Sequence, residues 1–296
     1  MAIQRAPEVV HSSMTIENRN RDPTGTDAYS PVEMAARVER AGVTKVHLPV
    51  LPLLALSVLA GVFIAFGGMF YTLAITGSGF GFGPNRLLGG LAFSLGLVLV
   101  IVGGAELFTG NSLIVMAWAS RRITLSALLR NWAIVYVGNF AGALGMVALA
   151  YLSGILSLDM GGFAETARAI AKTKLELPAD QAFVRGVLCN ALVCLAVWLC
   201  YAARDVASKI LFIVGPITAF VALGLEHSVA NMYLIPIGML AGTSFDPAGL
   251  ARNLFWVSLG NIVVGGGGVA LVYWTIYLSP VARGTAGEAS ARYRLP

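Results

Sequence analysis

Residues 106–111 read ELFTGN and residues 226–231 read EHSVAN. Each is a polar interruption of a run otherwise apolar enough to cross a bilayer, Leu87 to Trp118 in the first case and Ile210 to Ala241 in the second. A carboxylate in hydrocarbon is costly and is seldom kept there without a role. Of the fifteen Asp and Glu in the chain, only Glu106 and Glu226 fall inside an apolar run. A Gly-Asn pair follows in the next apolar run of each half, Gly138-Asn139 and Gly260-Asn261, so Asn trails Glu by 33 residues in one half and by 35 in the other. Matching residues at near-equal spacing predict an internal duplication.

Working outward, the chain shows six apolar runs, 48–75, 87–118, 125–153, 183–203, 210–241 and 250–279. Three spans per repeat is an odd number, so the second repeat enters the bilayer from the opposite side, and the broken middle helices meet near the midplane. The sequence therefore predicts an all-α integral membrane protein with six transmembrane helices in two inverted three-helix repeats and two broken helices. Composition agrees: 57% hydrophobic and 12% charged residues over 296 positions, with mean hydropathy +0.78, exclude a soluble globular chain. A pI near 9.3 and a net charge of +5 fit loops that orient a membrane protein rather than a nucleic-acid interface. With the N-terminus in the cytoplasm, fourteen of the twenty Lys and Arg fall on the inside, which places both termini there. Cys189, Cys194 and Cys200 share one apolar run and read as small packing residues, with no disulfide framework or metal site.

Three parts follow: a polar cytoplasmic extension, 1–45, a transmembrane domain, 46–280, with repeats at 48–153 and 183–279, and a cytoplasmic tail, 281–296. The start of the extension reads as disordered to about residue 30, and Pro31 to Arg40 as a short amphipathic helix on the membrane surface. The interval 154–182 is more polar and lies outside.

A broken helix exposes backbone that lipid cannot satisfy, so it survives only beside protein or a water-filled path. Half-helices starting near Ser112 and Ser228 aim N-terminal ends at the centre, which favours a small anion over a metal ion. Glu106 and Glu226 then serve to support the breaks by bonding the broken backbone. His227 is the only histidine among the apolar runs, and its ordinary pKa of about 6.5 suits proton exchange near neutral pH. Thr109 occupies the matching interruption and is placed to hydrogen-bond a substrate or the imidazole. Phe93, Leu97 and Phe220 precede the breaks, where they either pack or constrict the path.

GGAELFTGNSLIV (103–115), GNFAG (138–142), CNALVCLAVWLCYAARDVASKI (189–210) and above all GLEHSVANMYLIPIGM (224–239) resemble the formate/nitrite transporter family, over about residues 31 to 280. The resemblance implies an aquaporin-like fold, a homopentamer with one pore per protomer in a bacterial inner membrane, and passage of monovalent weak-acid anions such as formate, nitrite, hydrosulfide and lactate. It implies that Leu107, Phe108 and Thr109 form a mobile loop at the first break, that Phe93 and Leu97 make the cytoplasmic constriction and that Phe220 makes the periplasmic one. It further implies that His227 is the central proton donor, Asn190 a polar pore residue and Lys174 a vestibule cation that attracts anions. No cofactor is implied.

The chemistry is self-consistent. An ion at the bilayer centre costs from about 3 to more than 10 kcal/mol, and desolvation raises a carboxylic acid's pKa. An anion entering an apolar constriction thus becomes a better base until it takes a proton and passes as the neutral acid. A membrane enzyme or redox-complex anchor would instead show paired histidines or cysteine clusters. A neutral-solute channel of the water and glycerol type would carry two Asn-Pro-Ala motifs, which this chain lacks.

Overall fold

A computed structural model describes residues 27–242 and 244–280. The expected disordered start up to residue 26 and the tail 281–296 lie outside the described residues. The described chain begins with α1, Pro31–Val46, closed at its N-terminus by a capping box: Glu33 N donates to Ser30 Oγ, and Ser30 N donates to the Glu33 carboxylate. It runs six residues beyond the expected Arg40, because Gly42 and Val46 extend the buried stripe begun by Met34, Ala35 and Val38.

Among the described residues five helices are long and apolar enough to cross a membrane. They are α2 (Val50–Ile75), α3 (Phe82–Gly103), α5 (Leu125–Leu152), α7 (Ala179–Cys200) and α10 (Pro247–Ile262), the last continued through a π-helical segment, Val263–Leu271, into α11 (Val272–Tyr277). The sixth crossing is split into α8 (Val206–Ala222) and α9 (Ser228–Leu240). After α3 the chain breaks likewise, then continues as a 3₁₀ turn, Gly110–Ile114, and α4, Val115–Ala119. The polar interval holds a further helix, α6 (Gly162–Leu175).

The repeats superimpose as hydrogen-bond patterns. Both lead helices, α3 and α8, end on a left-handed glycine, Gly104 at φ +81° and Gly224 at φ +70°. The next N–H reaches back five residues in each, Ala105 to Val100 O and Leu225 to Phe220 O, the closure that satisfies the last carbonyls of a helix. Glu106 N then donates to Leu56 O on α2, as Glu226 N does to Arg185 O on α7. In repeat one α2 packs on α3 and α5; in repeat two α7 packs on α8 and α10; α3 lies against α8 between them. The close helix contacts rest on small residues: a Cβ on Gly142 of α5 would collide with Val58 O of α2. Helix α9 is almost wholly buried among α5, α6 and α2. Exposed apolar side chains such as Phe66, Phe70, Val137 and Leu149 cover the outer surface of the spans, as a lipid-facing surface requires.

Candidate functional site

The site is built at the two breaks. Asn139 of α5 closes the first: its Oδ1 accepts from Phe108 N at 2.9 Å, and its Nδ2 donates to Glu106 O at 2.9 Å and to Ser57 O at 2.7 Å. Asn261 of α10 closes the second in the same way, accepting from Ser228 N at 3.0 Å and donating to Glu226 O at 3.2 Å and Gly186 O at 2.8 Å. The bonding of broken backbone expected of the two glutamates is thus done by these asparagines.

The glutamate carboxylates hold something else. Lys45, in the last turn of α1, donates to both oxygens of Glu106 at 2.9 and 3.0 Å. Lys174, in the last turn of α6, does the same to Glu226 at 2.9 and 3.0 Å. Asn111 and Asn231 each donate to their glutamate and to a further asparagine, Asn131 and Asn253, whose amides return to Lys45 O and Lys174 O. Helices α1 and α6 therefore belong to the repeats, one cation each. Lys174, expected as a vestibule cation, is a partly buried partner of Glu226.

His227 is the N-cap of α9. Its Nδ1 accepts from Ala230 N at 3.0 Å, so a neutral ring carries its hydrogen on Nε2, which lies 2.9 Å from Thr109 Oγ1 of the other break. Both side chains are buried, and this bond joins the two repeats at the centre. Two of the first N–H groups of α9 are taken by Asn261 and His227, and α4 has only five residues. The donor presented at the centre is accordingly the imidazole rather than the helix termini the sequence pointed to. Asn190 of α7 spans the centre too, donating to Asn261 O at 2.7 Å and Thr109 O at 3.3 Å, while its buried Oδ1 has no partner among the described residues.

Two cavities approach this centre. The first, about 300 Å³, is lined by Lys45, Glu106, Leu97, Leu107, Arg37 and Lys209. The second, about 280 Å³, is lined by Lys174, Glu226, Phe93, Phe220, Tyr71 and His227. Phe220 stacks on the imidazole with centroids 5.8 Å apart and meets Phe93 edge-on at 5.6 Å. Phe93 consequently stands with Phe220 and not with Leu97: one turn of α3 separates the two residues, and each faces a different cavity. Phe108 lines neither cavity; it packs against Trp132 and Tyr136 of α5. Among the described residues no group of three or more His, Cys, Asp or Glu is placed to hold a metal ion.

The sequence reading missed Lys45 and the four asparagines 111, 131, 231 and 253. Their signal was present: Glu and Asn stand five apart in both interruptions, and Asn131 and Asn253 each precede a Gly-Asn asparagine by eight.

Comparison with known proteins places these features in one family. A family model described as formate/nitrite transporter matches residues 32–275. The formate channel FocA of Escherichia coli (strain K12) is 40% identical over 272 residues, covering 85% of this chain and 95% of that one. A probable formate transporter of Methanothermobacter thermautotrophicus is 39% identical, covering 86% and 99%. Among solved structures, a pentameric formate channel with formate bound is 38% identical with a TM-score of 0.71, covering 78% of this chain and 98% of the other.

Proposed function

The chain belongs to the formate/nitrite transporter family, and on that premise we propose that it carries small monovalent weak-acid anions, formate foremost, along the path joining the two cavities of each protomer, with proton transfer at His227. The observation that carries this reading is the His227–Thr109 bond of 2.9 Å, a proton-exchanging group between an apolar pair on one side, Phe93 and Phe220, and another on the other, Leu97 and Leu107.

An anion in the second cavity meets Nε2–H, which can turn from Thr109 to donate to it. Passing between the apolar side chains strips its water and makes it a stronger base. Proton transfer breaks Nε2–H, forms O–H on the acid and gives a neutral molecule for which the apolar barrier is low. The ring must be charged beforehand, and an imidazolium carries hydrogen on Nδ1 as well, so reloading breaks the cap to Ala230 N. Proton uptake is in this way tied to the N-terminus of α9. Thr109, bonded at rest, is free to hold the departing acid.

The relative solved as a pentamer with formate bound supports a homopentamer with one path per protomer. The charge balance supports a bacterial inner-membrane protein with both termini cytoplasmic, the first cavity facing the cytoplasm and the second the periplasm. The channel unit comprises the described repeats together with α1 and α6. Uptake of radiolabelled formate by proteoliposomes tests the reading. Uptake should be saturable and should accelerate when the source side is acidified. Passage of glycerol or water in place of formate would contradict it.

A further inference from the structure

Lys174 in the wall of the second cavity is matched by Glu226, and Lys45 in that of the first by Glu106. Charge balance in the second cavity then leaves two cations in its wall, Arg86 at the start of α3 and Arg185 on α7. Among the described residues no carboxylate is paired with either. Both reach the end of α8, at Ala222 and Gly224, five and three residues before His227. Arg86 Nε donates to Ala222 O at 2.9 Å, and Arg185 Nη1 lies 3.5 Å from Gly224 O. Gly224 has no side chain where Arg86 Nη2 sits. One guanidinium nitrogen of Arg86 thus holds the helix end, and the residue lines the cavity.

The repeat symmetry sets Arg185 apart from the shared scaffold. The backbone of Arg185 accepts from Glu226 N as that of Leu56 accepts from Glu106 N, so Arg185 stands where repeat one has a leucine. A long cation in place of a leucine on a membrane-spanning helix is costly and needs a function. The Lys–Glu pairs recur in both halves; Arg185 does not.

We propose that Arg86 and Arg185 form an outer collecting site for small carboxylates at the mouth of the second cavity, raising the local anion concentration before the Phe93–Phe220 constriction. This rests on the transport reading above. Guanidinium groups suit it, since their N–H forks bind a carboxylate oxygen pair.

The test is concentration-dependent formate uptake from the side of the second cavity, at about 0.01 M and about 0.5 M ionic strength, where charge attraction is long-ranged and screened respectively. Arg86→Gln and Arg185→Leu should each raise the half-saturating formate concentration about five-fold at low salt, leave the maximal rate near that of the parent and converge with it at high salt. Arg86→Lys and Arg185→Lys keep the charge but not the fork and should fall between the parent and these variants at low salt. Unchanged half-saturation in Arg86→Gln and Arg185→Leu overturns the proposal. So does an equal loss at both ionic strengths that the Lys variants share, which would assign the arginines to holding the end of α8. Absence of formate uptake by the parent would instead refute the transport reading itself.

Discussion

Replacing Lys174 by Met leaves the Glu226 carboxylate buried without its cation, its remaining side-chain donor being Asn231. Breaking a buried pair from one side costs about 3–5 kcal/mol. The side chains of this pair are 13% and 5% exposed, whereas those of Lys45 and Glu106 are 28% and 8% exposed at the same 2.9 Å separation. Water reaches the first pair more easily, so Lys174→Met should fall at the upper end of that range and Lys45→Met at about half of it. In thermal unfolding of detergent-solubilised protein, that corresponds to a midpoint lowered by about 10 °C for Lys174→Met and about 5 °C for Lys45→Met. The double variant Lys174→Met/Glu226→Gln removes the stranded charge and should recover most of the loss. Should Lys45→Met prove the more damaging, or the double variant melt no higher than Lys174→Met, the buried-charge account of the breaks is wrong.

Two further outcomes follow from packing and topology. Gly142→Ala places a methyl group against Val58 O and should cost about 1–3 kcal/mol through separation of α2 and α5; Gly145→Ala, one turn on with nothing near its Cβ, should melt within about 1 °C of the parent. A cysteine at Ala169, exposed on α6 at the second cavity, should react with an impermeant thiol reagent only from the periplasmic side of intact cells. Labelling from the cytoplasmic side alone would reverse the orientation.

Much of this architecture is written in the linear pattern. Glu106 and Glu226 mark the breaks because acidic residues are conspicuous against hydrocarbon, and the trailing Asn139 and Asn261 betray the duplication because the same backbone gap needs the same amide to close it. Helix α6 was harder to see. Its buried stripe, Phe163, Ala167, Ala171 and Leu175, is short and half alanine, which hydropathy alone does not separate from a polar loop. The partner of Lys174 is hidden for a related reason: it lies 52 residues away, and only the folded repeat brings the two together. The same holds for Lys45, 61 residues from Glu106. Phe93 and Leu97 are four apart on one helix and so look alike in sequence, yet the crossing of α3 with α8 puts one at each cavity.

The central claim is that His227 exchanges the proton that lets a weak acid cross. His227→Asn isolates that property, because asparagine is an effective N-cap and keeps a polar side chain at the start of α9 but takes no proton near neutral pH. Parent and variant proteoliposomes should be compared for formate-driven current under voltage and for formate-coupled change of internal pH. The parent should acidify or alkalinise the lumen with little current, whereas the variant should lose the coupled pH change and pass formate, where it passes at all, as current. Identical coupling in the two would leave His227 a cap and a hydrogen-bond donor, and would place the proton step elsewhere.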